Sequence, residues 1–177
     1  MYTHFIGIDN GTTGSIGIVN PDGSYAFYSP TPTKQEQNYT KTKKVMSRID
    51  VDLLEPLLKP YQTGYAYLER PMVNPMRFVA TVSAVRALEA TLIVLEKLKI
   101  SFEYVDSKRW QRLFLPAGIW KVNTTASGRE VQKADSKTLK KASKDVVTRM
   151  FANAVISGDG EGLLIAEYGR RQKLGIK

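Results

Sequence analysis

Short apolar runs, each closed by a carboxylate or a turn, alternate along this chain with longer stretches of helical period. His4–Asp9 reads as a buried strand, and Ser15–Val19 as its return after the turn Gly11-Thr12-Thr13-Gly14. Pro21-Asp22-Gly23 turns the chain again into a third strand, Ser24–Ser29. Gly64–Glu69 and Ser101–Val105 supply a fourth and a fifth strand. Asp50 or Asp52 caps a short helix reaching Leu58, with Pro60 beyond its end. Pro75–Lys99 is the longest predicted helix. Val85, Leu88, Leu92 and Leu95 recur there at helical spacing, beside a small-residue stripe of Ala80, Ala84, Ala87 and Thr91. That stripe suits either a dimer seam or ordinary packing against a sheet. Further helices are predicted over Ser107–Leu115, from Ser136 to Ala152 and from Asp159 to Arg170. Three antiparallel-looking strands followed by alternating helices and strands predict one α/β domain over residues 1–177, a mixed five-stranded sheet flanked by helices. Two segments lack periodicity, and mobile basic loops are expected there, near 30–48 and 116–134.

Composition narrows the chemistry. The 177 residues carry a formal net charge of +9, which favours a polyanionic partner without bearing on the fold. There is no Cys, so disulfides, thiolate metal sites and Cys nucleophiles are excluded, and His4 as the sole histidine argues against a Ser-His-Asp triad. No signal peptide is expected from residues 1–20. The apolar pattern within Ala80–Leu98 is interrupted by Arg86, Glu89, Glu96 and Lys97, so no membrane span is expected and an intracellular setting is.

Three acidic stretches then carry the functional signal. Asp9 ends the first apolar run beside Asn10-Gly11, and Glu69 ends Tyr65-Ala66-Tyr67-Leu68. Asp159 and Glu161 stand where the last helix begins. Each has a plainer explanation. Asp9 could start a turn, Glu69 could pair with Arg70 or Arg77, and Asp159 could be a helix N-cap. Yet a carboxylate in a buried strand is rare unless paired. Carboxylates gathered from distant elements repel unless a cation lies between them, and hard divalent ions prefer oxygen ligands. The pattern points to metal-dependent phosphodiester chemistry at Asp9, Glu69, Asp159 and Glu161.

With these residues in view, the chain resembles the RuvC-like Holliday-junction resolvases of the RNase H-like superfamily. The resemblance is closest to bacteriophage-encoded members, and is most specific at Leu68-Glu69-Arg70-Pro71-Met72-Val73-Asn74-Pro75 and at Leu163-Leu164-Ile165-Ala166-Glu167-Tyr168-Gly169-Arg170-Arg171. It implies an RNase H-like sheet and two Mg²⁺ or Mn²⁺ ions bound by Asp9, Glu69 and the acidic pair Asp159 and Glu161. The implied activity is that of a crossover junction endodeoxyribonuclease, a homodimer acting on branched DNA without a nucleotide cofactor. In-line attack by water would leave a 5′-phosphate and a 3′-hydroxyl. One departure stands out: the family places its last two metal-binding residues three apart, and here Gly158 precedes Glu161 by three, while Asp159 precedes it by two.

The basic residues fit such a partner. Lys137, Lys140, Lys141 and Lys144 share one predicted helix face opposite Leu139, Val146 and Met150, a phosphate-tracking stripe. Lys144 resembles the lysine region that family members use near the active site. Lys108 and Arg109 form a second cluster, next to a Trp110 expected in the core. Met72 or Phe78 could wedge into a branch point or staple the long helix, and Lys41, Lys43 and Lys44 could touch a junction arm. Three other functions compete, one of them a non-catalytic nucleic-acid-binding domain of the same fold, in which the basic stripe would survive and the acids would be idle. A general flap or fork nuclease of the same fold has the same signature. An actin-like or sugar-kinase ATP-binding domain would share Asp9-Asn10-Gly11-Thr12-Thr13-Gly14, but no second glycine-rich phosphate loop follows.

Overall fold

The computed structural model describes residues 2–37, 41, 44–124 and 128–176. A five-stranded sheet organises them, built from β1 (Phe5–Ile8), β2 (Ser15–Val19), β3 (Tyr25–Pro30), β6 (Tyr65–Glu69) and β7 (Ser101–Val105). The spatial order is β3-β2-β1-β6-β7. β1 to β3 pair antiparallel through the two turns read in the sequence, whereas β6 and β7 run parallel to β1. The expected mixed sheet is therefore present, with helices on both faces.

Side-chain alternation divides the sheet between two cores. Ile6, Ile8, Ile16, Ile18, Ala66 and Leu68 face α1 (Val51–Leu58) and α2 (Phe78–Lys97). Phe5, Tyr65 and Tyr67 face α3 (Ser107–Phe114), α4 (Ser136–Met150) and α5 (Glu161–Leu174). Asp50 is the N-cap of α1, its side chain accepting from the Asp52 amide. The small-residue stripe of α2 is divided. Ala87 and Thr91 are buried in the core below the sheet, whereas Ala80 and Ala84 border a cleft. By length and composition α2 could cross a membrane. In the fold, however, its Ala87, Ala90, Thr91, Val94 and Leu95 are buried, and Arg86 and Glu89 lie mid-helix.

Both segments expected as loops contain strands. β4 (Thr33–Gln37) pairs antiparallel with β5 (Val45–Ile49), and β8 (Lys121–Thr124) with β9 (Glu130–Lys133). β4, β8 and β9 are mostly polar, and β5 buries only Ile49, so no clear alternation marked them. β4 and β5 are tied by polar cross-strand contacts instead: Arg48 to Glu36 at 2.8 Å, and Gln35 to Ser47 at 2.9 Å. Lys41 and Lys44 are exposed, and Lys43 lies outside the described residues.

α5 lies across β1 and β2 with backbone against backbone. A Cβ on Gly17 would come within 2.2 Å of the Leu163 amide nitrogen, and one on Gly7 within 2.1 Å of the Gly162 carbonyl oxygen. Neither obstacle is a side chain that can turn away. Gly17→Ala is expected to push α5 off the sheet, costing about 1–3 kcal/mol. Thermal melting would show that loss.

Candidate active site

The alternation that sorts the two cores also aims the acids. Asp9 follows Phe5 and Gly7 on the α5 face, and Glu69 follows Tyr65 and Tyr67 on that same face. The parallel register pairs Ile8 with Leu68, so the two carboxylates leave adjacent strand ends side by side. The tight contact at Gly7, Gly17 and Gly162 then brings the start of α5 over them.

Two glycines arrange the acidic pair. Gly160, the N-cap of α5, has φ +76°, a left-handed conformation that glycine adopts without strain. Through that bend, residues only two apart converge. Carboxylate oxygens of Asp9, Asp159 and Glu161 all lie within 4.8 Å of one another. At Gly158, a Cβ would sit 2.7 Å from the Tyr28 hydroxyl, so any side chain three before Glu161 would have to displace that hydroxyl. Asp159 supplies the carboxylate instead, and it also accepts from the Glu161 amide at 3.2 Å. Ser15 Oγ accepts from the Gly162 amide at 3.0 Å, fixing the start of the helix.

Glu69 stands beside this trio without joining it. Neither expected arginine pairs with it: Arg70 is 3.3 Å from Asp106 instead, and the Trp110 indole donates to Glu69 Oε2 at 2.7 Å. Burial is the main cause of a Glu69 carboxyl pushed up to about 8, with the charges of Asp9 and Glu161 adding to it. Burial likewise lifts Asp9 to about 6, helped by Asp159, and Glu161 to about 7, helped by Asp9 and Asp159. Lys140 offsets part of both shifts. Four carboxylates thus share a confined space with too little positive charge, and every donor is oxygen. That set fits a hard divalent cation, with Asp9, Asp159 and Glu161 spaced to share one and Glu69 adjacent.

The remaining candidates are distributed around this centre. Lys140, not Lys144, reaches the acids, with Nζ 2.7 Å from Asp159 Oδ2. Lys137, Lys141 and Lys144 are exposed on α4, and Lys108 and Arg109 are exposed on α3. Met72 and Phe78 are 81% and 66% exposed, which removes the core-staple explanation for both. Trp110 is fully buried, as expected, and its bond to Glu69 was not foreseen. Nor was Ser143, a buried hydroxyl that donates to Glu161 at 3.2 Å.

No family model and no curated protein sequence matches this chain. Solved structures do. Thermus thermophilus RuvC in complex with a Holliday junction substrate superposes with a TM-score of 0.62, covering 99% of this chain and 98% of that one at 14% identity. The chain has the RuvC fold. A second Thermus thermophilus RuvC structure matches with a TM-score of 0.53 at 12% identity, covering 98% and 97%. The RuvC-like architecture accounts for the whole described chain, and identities this low establish architecture alone.

Proposed function

We propose that this protein is a divalent-metal-dependent endonuclease for branched DNA, which resolves four-way junctions by paired symmetric nicks. The observation that carries the proposal is the convergence of Asp9, Glu69, Asp159 and Glu161 at one edge of a RuvC-like sheet, in a chain of net charge +9. Asp9, Asp159, Glu161 and Glu69 would hold Mg²⁺ or Mn²⁺, two ions in all, which when bound activate water and stabilise the leaving oxygen. Trp110 fixes one oxygen of Glu69 and leaves the other for the site, and Ser143 orients Glu161. Water adds to phosphorus as the P–O3′ bond breaks, leaving a 5′-phosphate and a 3′-hydroxyl. Lys140 stands where charge grows on that phosphate.

Around the centre, Lys137, Lys141 and Lys144 on α4 and Lys108 and Arg109 on α3 track phosphates, and Met72 and Phe78 probe the branch point. Two symmetric nicks need two equivalent sites, which a two-fold dimer supplies. The apolar side chains that α2 leaves exposed, Val79 at 75% and Ile93 at 52%, provide a seam for a second copy. The proposed setting is intracellular, and the segments 68–75 and 163–171 support kinship with phage-encoded resolvases.

The test compares a mobile four-way junction with a matched linear duplex, in Mg²⁺ or chelator. Paired nicks confined to the junction and absent in chelator are expected. Equal cutting of flaps and forks would reduce the activity to general branch cleavage, and no cutting in any metal would refute the nuclease. Sedimentation of Ile93→Lys is expected to show monomers where the parent forms dimers.

A further inference from the structure

The ribbon of β8 and β9 belongs to neither core, and all its side chains but Val131 are exposed. In the chain it lies between α3 and α4, the helices that carry Lys108, Arg109 and the exposed lysines of α4. The register of the two strands sorts their charges. Cross-strand partners share a face, so Lys121 stands opposite Lys133, with Asn123 and Val131 beside them. Val122, Thr124, Glu130 and Gln132 occupy the other face. One face therefore carries both lysines of the ribbon, and the other its single acid. Like charges directly opposite one another repel. Neither lysine makes an ion pair among the described residues. Asp135, the next acid along the chain, is engaged in capping α4, where it accepts from the Thr138 amide at 2.9 Å and the Thr138 hydroxyl at 2.6 Å. The repulsion is left for an anion from outside the chain to relieve.

We infer that the Lys121–Lys133 face of this ribbon grips the phosphates of a duplex arm of the DNA substrate. The inference deepens the nuclease proposal and rests on it for branched DNA as the ligand, not for the chemistry of the acids. Duplex DNA carries one negative charge per about 1.7 Å of its axis, so a ribbon lying along it finds a phosphate for each ammonium. Two strands about 4.8 Å apart also fit a major groove about 12 Å wide, whose walls are the phosphate backbones. Lysine meets a phosphate as a point charge on a flexible stem, so the grip carries no base preference. Glu130 on the far face is repelled by the same phosphates, which gives the ribbon one way round on the arm. From β9 the chain runs directly into α4, whose exposed lysines continue the cationic surface.

The experiment measures binding of the full-length protein to a four-way junction in chelator, where nothing is cut, over a range of salt. Each phosphate contact adds about 0.9 to the slope of log affinity against log salt, so Lys121→Ala with Lys133→Ala should flatten it by about 2 per engaged ribbon. Between about 50 and 200 mM salt the parent then loses about tenfold more affinity than the double variant. Thr124→Ala with Gln132→Ala, on the opposite face, should leave the slope as it is. Lys133→Glu separates a grip from a purely structural role. It turns the cross-strand repulsion into an ion pair with Lys121, so it should steady the ribbon and yet weaken binding more than Lys133→Ala does. Hydroxyl-radical footprints should show a stretch of one duplex arm protected by the parent and open in the double lysine variant. An unchanged slope, full binding by Lys133→Glu, an equal loss in the opposite-face variant, or protection lost only at the crossover would each overturn the inference. No junction binding at all would overturn it too. Ribbon-dependent binding without cutting in any metal would uphold the grip while the nuclease proposal fails, and paired nicks with an unchanged slope would do the reverse.

Discussion

Glu69→Gln is expected to abolish junction cleavage and, at the same time, to raise the melting temperature of the metal-free protein. Glutamine keeps an oxygen to accept the Trp110 indole but removes one charge from a crowded, half-buried group. The cleavage loss should exceed the roughly 10–100-fold typical of altering an outer partner of a metal ligand. The stability gain must depend on pH, and its sign is fixed. With a folded carboxyl raised from 4.5 to about 8, the fold binds a proton that the unfolded chain has released. The contribution of Glu69 to stability is therefore complete below pH 4.5 and lost as pH climbs through about 8. Asp9 at about 6 and Glu161 at about 7 act in the same direction, as one coupled set. In chelator the parent protein should lose stability from pH 5 to pH 8.5. The variant should lose less, its advantage growing from near zero to on the order of 2–4 kcal/mol. Melting curves at the two pH values, with and without Mg²⁺, read all of this out. Mg²⁺ should favour the parent most at high pH, where the carboxylates are ionised.

Glu167→Ala is expected to be the most damaging substitution away from the acidic centre. Glu167 is 3% exposed and receives Arg170 on both oxygens, Nε at 2.7 Å and Nη2 at 2.9 Å, with Arg171 Nε at 2.8 Å. Arg170 also donates to the Pro21 carbonyl at 3.0 Å, tying α5 to the turn between β2 and β3. Removing the carboxylate leaves a buried guanidinium without its counter-charge, a loss of about 3–5 kcal/mol. That should lower the melting temperature by roughly 10 °C. Glu167→Leu combined with Arg170→Met removes both charges and should recover most of the loss. Failure of that rescue would mean that the bond to Pro21, and not the charge pair, holds the helix.

The sheet and the first two acids were legible because strands buried on both faces read as short, unbroken apolar runs. Tyr65-Ala66-Tyr67-Leu68-Glu69 reads as a strand closed by a carboxylate that burial makes anomalous unless it is paired. The strands β4, β8 and β9 contribute nothing to either core and β5 contributes only Ile49, so alternation was weak and they passed for loops. Helical phase placed Lys137, Lys140, Lys141 and Lys144 on one face, but phase alone does not say which turn of α4 meets the acids. That depends on the route from Met150 to Glu161, and it selects Lys140. Asp159 was hard to place because its reach depends on the left-handed Gly160 and on the Tyr28 hydroxyl that a side chain at 158 would displace. One signal was available and unused: a buried indole needs an acceptor, and Trp110 lies in the helix that follows the strand beside Glu69.

The seam of α5 against Gly7 and Gly17 also sets an order in time. Ribosomes deliver α5 after all five strands of the central sheet, so a nascent chain carries Asp9 and Glu69 before Asp159 and Glu161 exist beside them. Until that helix arrives, one face of β1 and β2 is bare and apolar, a surface for chaperones to shield. The acidic centre cannot be assembled by a partly made chain. Until α5 is made, a protein proposed to cut DNA lacks two of the four acids of its centre.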